Sequence, residues 1–427
     1  MTTLRLATGS LIAVLVAGCG GGSSATDLST PPDLGMSPDL APAFPAFHPS
    51  VPKASKDPSG GPVMDAPRLI AITYEGDDLQ PMIDDFVAKT VASSYWEDAL
   101  GEYAVGKATA LSPIHLDMKS QPPSTCNNGK CTLTDQSIQQ WLAGQIKNTQ
   151  GFPQPDVNTL YAIFPPANTT VQASSGALCQ AFQGYHSDFV MGPNKDEFVV
   201  YSVIGRCPPM SAKITLLDNL TAAGSHEIVE AATDPLPIDN PAWNTVDDDH
   251  IVWGYFFGQE LGDLCGVLPD TYYRPADLPY LVTKLWSNKA AAAGHDPCQP
   301  MGDSPYFNSA PVFPDTINVP SPSGFGQIAT KGLLIPVGQE KTVEVDLFSD
   351  GPTALPWAVN AYDLASHFMG ASPELEITLD KATGQNGDKL QMTVKALRAS
   401  KSGASMIWIQ NDLPTAHTVW MGMVTND

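Results

Sequence analysis

The sequence predicts an α+β domain closed by disulfides, followed by an all-β domain of about 100 residues. Three observations carry this expectation. Apolar stretches with strand and helix periodicity alternate between residues 68 and 233, six cysteines fall between residues 126 and 298, and beyond residue 326 apolar residues alternate with period two between turn signals.

Taken in order, the chain opens with one basic residue, Arg5, before an apolar run from Leu11 to Ala17 that ends in Val16-Ala17-Gly18-Cys19. The run is too short to span a bilayer permanently and has the form of an export signal. Small residues directly before a cysteine resemble the lipobox of bacterial lipoproteins. That resemblance implies a signal peptide over residues 1–19, lipidation of Cys19 and a lipid-anchored protein of the bacterial cell envelope, in the outer membrane. Residues 20–67 are rich in Gly, Ser, Pro, Asp and Ala with little aliphatic clustering, which predicts a disordered tether.

Roughly 360 residues remain, more than one core normally organises. The expected division is a first domain over 68–299, a linker or first strand over 300–326 and a second domain over 327–427. The net charge is −23 and no basic cluster occurs, which argues against nucleic acid and against docking on anionic lipid. The membrane is then a partner only through the anchor, and the acidity suits divalent cations.

Apart from Cys19 the cysteines are Cys126, Cys131, Cys179, Cys207, Cys265 and Cys298. An even number in an exported chain predicts disulfides, and nearest-neighbour pairing is the simplest of about fifteen connectivities. Asn128-Gly129 between Cys126 and Cys131 favours a tight turn, so that pair reads as a self-closed hairpin. Thiolate ligation of a metal would call for CxxC spacing, which is absent.

In the first domain, Arg68 to Tyr74 is apolar and β-branched enough for a buried strand. Ile83, Phe86, Val87 and Val91 recur at helical spacing, Tyr95, Trp96 and Tyr103 supply further core, and Ile138, Trp141, Leu142 and Ile146 mark a helix capped by Thr134 or Asp135. Strands are expected at Thr159 to Phe164 and Glu197 to Ile204, and a helix over Leu216 to Thr233 that Asp234-Pro235 stops.

That helix carries His226, Glu227 and Glu230. Positions i and i+4 share a face, so His226 and Glu230 project together with Glu227 one step round. The pattern is that of the zinc-hydrolase motif His-Glu-x-x-His with its second histidine replaced by glutamate. Downstream, Gly258-Gln259-Glu260-Leu261-Gly262-Asp263-Leu264-Cys265 offers Glu260 as third ligand and Asp263 as a residue orienting a ligand or replacing one. Zinc held by His226, Glu230 and Glu260 would keep a position for water, with Glu227 as the general base. Two carboxylates neutralise the ion and make that water less acidic, so calcium or manganese stand beside zinc as alternatives. The plainer reading makes both glutamates solvated helix charges and His226 a core histidine.

His186 is either a further ligand or a donor to an oxyanion, set against a structural histidine. Asp247-Asp248-Asp249-His250 lacks the alternation of a calcium loop and reads as a solvated turn. Ser225 has no Gly-x-Ser-x-Gly elbow, so a serine hydrolase is unsupported.

A strand followed by a helix bearing His-Glu resembles the zincin metallopeptidases. The stretch from His226 to Pro235, the Gly258 to Cys265 segment, and Leu285-Trp286-Ser287-Asn288 followed by Cys298 together resemble a set of uncharacterised secreted bacterial proteins. Tyr74-Glu75-Gly76 and Gly184-Tyr185-His186 are more distantly similar to the phosphate-induced (EXORDIUM-like) extracellular family. This family resemblance covers roughly Arg68 to Cys298 and implies an extracellular domain; it implies no particular reaction.

In the second domain Thr342 to Phe348, Leu375 to Leu379 and Leu390 to Val394 alternate, and Met406 to Ile409 and Val419 to Val424 add apolar runs. The size and pattern resemble an immunoglobulin-like sandwich with an accessory or spacer role. Two functions follow from the whole: a metal-dependent hydrolase of peptide bonds, or a noncatalytic surface or cell-wall binding protein, contacting a peptide or cell-surface polymer, whose metal site is structural or degenerate.

Overall fold

The apolar run at 68–74 forms β1 (Arg68–Tyr74), the strand about which the first half of the molecule is layered. The computed structural model describes residues 43–192, 197–209, 211–256, 258–266, 268, 271–300, 304–322 and 326–426. Cys19 and the expected signal peptide lie outside the described residues. Strand outweighs helix, and the chain builds several sheets.

After β1 come α1 (Gln80–Thr90), β2 (Ile114–Leu116), α2 (Asp135–Asn148), β3 (Thr159–Ile163), β4 (Gly184–Met191), β5 (Glu197–Ile204) and α3 (Leu216–Thr233). The strands lie in the order β4-β5-β3-β1-β2, the last four parallel and β4 antiparallel at the edge. Alternation along β1 sends Leu69 and Ala71 into a core shared with α1 and α3, and Ile70 and Ile72 into one shared with α2. Burial on both faces explains why β1 and β3 read as continuous apolar runs. Thr134, rather than Asp135, is the α2 cap, its hydroxyl accepting the Ser137 N–H.

The cysteines pair as nearest neighbours: Cys126 with Cys131, Cys179 with Cys207, and Cys265 with Cys298. The first closes a hairpin whose turn residues Asn128 and Gly129 both have positive φ.

Two expectations about connecting segments are corrected. The predicted tether over 20–67 does not hold for residues 43–67, which pack on the fold. Val51, Ala54 and Met64 are buried, Ala54–Ser55 pairs with Thr245–Val246, and the Met64 N–H donates to the Ala232 carbonyl of α3 at 2.9 Å. Isolated apolar anchors and backbone hydrogen bonds order a proline-rich segment that composition alone classes as unstructured. The segment over 300–326, read as a linker or first strand, holds two strands rather than a linker, β6 (Phe307–Pro311) and β7 (Asp315–Pro320). Their prolines stand at strand ends, where no ladder donor is lost.

The remaining strands are β8 (Gln327–Leu334), β9 (Glu340–Ser349), β10 (Trp357–Asp363), β11 (Leu375–Leu379), β12 (Lys389–Ala396), β13 (Ser405–Leu413) and β14 (Ala416–Thr425). One sheet has the order β6-β9-β12-β11, and the other β7-β8-β14-β13-β10 with a short strand beyond. The core of these sheets is continuous with that of the first half: Trp253 meets Trp420 edge-on at 6.4 Å and Phe256 meets Trp408 at 5.2 Å. Among the described residues no helix is long and apolar enough to cross a membrane.

Candidate metal centre

Helix α3 is fixed at both ends. At its start the Thr215 hydroxyl accepts the Asp218 N–H and the Asp218 carboxylate accepts the Thr215 N–H, a reciprocal cap braced by Arg274. At its end Asp234 leaves helical geometry before Pro235, and its carboxylate accepts from the Ala242 N–H at 2.7 Å and from Asn244 at 2.9 Å. Ser225 is occupied in packing, donating to the Ala222 carbonyl and accepting the Thr283 N–H.

Between these ends the helix presents His226, Glu227 and Glu230 to a cavity of about 750 Å³, whose wall also carries His186, Glu260 and Asp263. All six residues singled out in the sequence therefore meet in one place. His186 comes from the edge strand β4, where its backbone pairs with Ser202 of β5. Glu260 and Asp263 come from the segment after α3, held from behind by the Cys265–Cys298 bridge.

Glu230 lies at the middle of the cluster and is 2% exposed. Its Oε1 stands 3.1 Å from His226 Nε2 and accepts the Asp263 N–H at 3.1 Å; its Oε2 is 3.9 Å from His186 Nδ1. His186 Nε2 is 3.2 Å from Glu260 Oε1 and 3.2 Å from the Asp234 carbonyl oxygen. Glu227 Oε2 is 3.7 Å from His186 Nδ1, and Asp263 Oδ1 is 3.4 Å from His226 Nε2.

Two glycines make this closeness possible, both part of the sequence motifs but with no role of their own there. A Cβ at Gly262 would lie 2.7 Å from Glu230 Oε1 and 2.8 Å from His226 Nδ1, and one at Gly184 would lie 2.6 Å from Glu227 Cγ. The only local signals were a glycine two residues before His186 and another between Glu260 and Asp263. Asp247, from the acidic turn, instead accepts the Lys53 N–H at 2.6 Å and pairs with His250 at 2.7 Å.

The electrostatics are those of a site built for positive charge. Burial alone would push the His226 imidazole down, but Glu230 and Asp263 beside it hold it well above its ordinary range. Burial opposes protonation of His186 in the same way, and Glu260 and Glu227 overcome it. Burial pushes the Glu230 carboxyl up to about 8 against the pull of His226. For Glu260 burial acts upward too, but His186 holds it below the usual range.

Among the described residues, two groups of donors are close enough to hold a metal ion: His186 with Glu230 and Glu260, and His226 with Glu230 and Asp263. Imidazole nitrogen with carboxylate oxygen suits zinc or manganese. Glu260 Oε1 is shut off from water and faces His186 Nε2 at 3.2 Å, a nitrogen–oxygen pair that could turn to a shared ion. The residues fit a divalent ion.

No family model and no curated protein matches the chain. Among solved structures it is similar to domains 4 and 5 of the S-layer protein SbsC, at 14% identity over 34% of this chain and 82% of that one, with a TM-score of 0.17. It is similar also to the titin M3 domain, at 12% identity over 22% of this chain and 91% of that one, with a TM-score of 0.14. A third is a Bacteroides ovatus GH5 xyloglucanase, at 12% identity over 22% and 16% of the two chains, with a TM-score of 0.15. At these TM-scores the likenesses carry no argument.

Proposed function

We propose that this chain is an exported, lipid-anchored protein of the bacterial cell envelope whose first domain is zincin-like and hydrolyses peptide bonds with a divalent metal, zinc before manganese or calcium. The observation that supports this reading is the convergence of His226, Glu227 and Glu230 from one helix with His186 from the edge strand and Glu260 and Asp263 from the following segment. The order of elements agrees with it, since α3 directly follows β5, next to the antiparallel edge strand.

His186, His226, Glu230, Glu260 and Asp263 would hold metal. A bound divalent ion supplies Lewis acidity and lowers the pKa of coordinated water toward neutrality. Glu227 is 6% exposed and faces the same cavity, where it would take the proton from the attacking water and return it to the leaving amine. Gly184 leaves room for that carboxylate beside β4. The C-terminal sheets form an immunoglobulin-like spacer in this account, and Cys19 carries the anchor.

One observation favours a second reading, a noncatalytic surface-binding protein with a structural metal. The donors are richer in carboxylate than in imidazole, which lowers the acidity of any bound water. The Glu227→Gln variant separates the two. In the hydrolase it keeps metal and fold and loses turnover on a peptide substrate library by at least about 100-fold. Unchanged turnover or unchanged inactivity in both proteins contradicts the hydrolase.

A further inference from the structure

The Glu230 carboxylate divides the cluster in two. Oε1 belongs with His226 and Asp263, at 3.1 Å from His226 Nε2 and 3.1 Å from the Asp263 N–H. Oε2 faces His186, at 3.9 Å from Nδ1, and His186 in turn reaches Glu260 at 3.2 Å. His226 and Glu260, which the spacing of the sequence assigned to one ion, stand in different groups. In each group one ligand atom per residue lies within 4.8 Å of the others, and Glu230 is the member common to both.

We propose that the cavity holds two divalent cations bridged by Glu230, one bound by His186 and Glu260 and the other by His226 and Asp263. This rests on the metal-centre reading above and extends it from one ion to two.

Charge supports the count. Glu227, Glu230, Glu260 and Asp263 bring four negative charges to one cavity when ionised, and two divalent ions cancel them. A single ion leaves two negative charges that protons on the remaining groups of the cluster must meet. Geometry supports it as well. A carboxylate that gives one oxygen to each ion is compatible with the spacing of about 3.5–4 Å at which two metals act jointly on an attacking and a leaving group. Each ion keeps open positions, because the protein supplies it with three donors. The close approach of Gly262 to both Glu230 and His226, and the Asp263 N–H on Oε1, fix the carboxylate so that its two oxygens face different histidines.

The test is to titrate the metal-stripped full-length chain with Mn²⁺, count bound ion by elemental analysis after removing the free metal, and record the electron paramagnetic resonance of the loaded protein. The expected result is two equivalents per chain with an exchange-coupled spectrum. Glu260→Gln and Asp263→Asn should each retain one equivalent with the six-line signal of an isolated ion, while circular dichroism remains that of the wild type. One equivalent in the wild-type chain, uncoupled, overturns the pair and leaves the single-ion centre standing. No bound ion overturns the centre itself. The wild-type count decides between these even if a variant fails to fold.

Discussion

Glu230 Oε1 lies 3.1 Å from His226 Nε2, one helical turn away, with Glu230 buried and His226 part-exposed in the wall of the cavity. The i,i+4 spacing brings the two together on any helix, but the contact is completed from outside, by the Asp263 N–H and by a glycine that leaves space for both. Gly262→Ala is therefore expected to lower metal affinity by about 10- to 100-fold, as loss of groups that orient ligands does, with little change in the unfolding midpoint of the metal-free protein. Paired metal titrations and thermal melts check this.

Metal binding should be steeply dependent on pH. His186 and His226 are held well above their ordinary range by the carboxylates around them, so a metal must displace protons that are still bound near neutrality. Affinity is expected to rise with pH through 6 to 8, by about tenfold per unit for each histidine that must lose its proton. Calorimetric titrations with Zn²⁺ at several pH values measure the slope.

Asp188, two residues along β4 from His186, gives a second pH effect. Burial pushes its carboxyl from 3.8 up to about 6, while the Ile238 N–H donates to it at 2.9 Å. The folded state thus binds this proton more tightly than the unfolded chain. The stability it contributes is complete below about pH 4 and is lost as pH rises through about 6. Asp188→Asn should remove that loss, so that the variant matches the wild type below about pH 4 and melts higher at pH 8.

The Cys265–Cys298 bridge closes a loop with a sequence separation of 33 and anchors the segment carrying Glu260 and Asp263. Replacing both cysteines by serine is expected to cost about 2–4 kcal/mol by denaturant unfolding, and to weaken metal binding along with it.

Much of this architecture was legible in local pattern. The run at β1, the span of α3 and the disulfide hairpin at Cys126 follow from periodicity, a proline stop and an Asn-Gly turn. The membership of the site was legible too, because the residue types at 226, 227, 230, 260 and 263 carry their own chemistry. The partition of these residues was not. That His186 shares Glu230 with His226 depends on β4 lying at the sheet edge beside α3, a relation 40 residues apart in sequence that no local spacing encodes. The ordered path of residues 43–67 and the strands at 307–320 escaped for another reason: prolines and serines dilute the apolar signal, while a few buried anchors such as Met64, Phe307 and Val319 suffice to pack the chain.

Whether this cluster binds metal is read out by elemental analysis of the purified protein after dialysis against metal-free buffer. At least one equivalent of zinc, manganese or calcium per chain is expected. Less than about a tenth of an equivalent of any of them, under conditions in which tight sites stay filled, contradicts it.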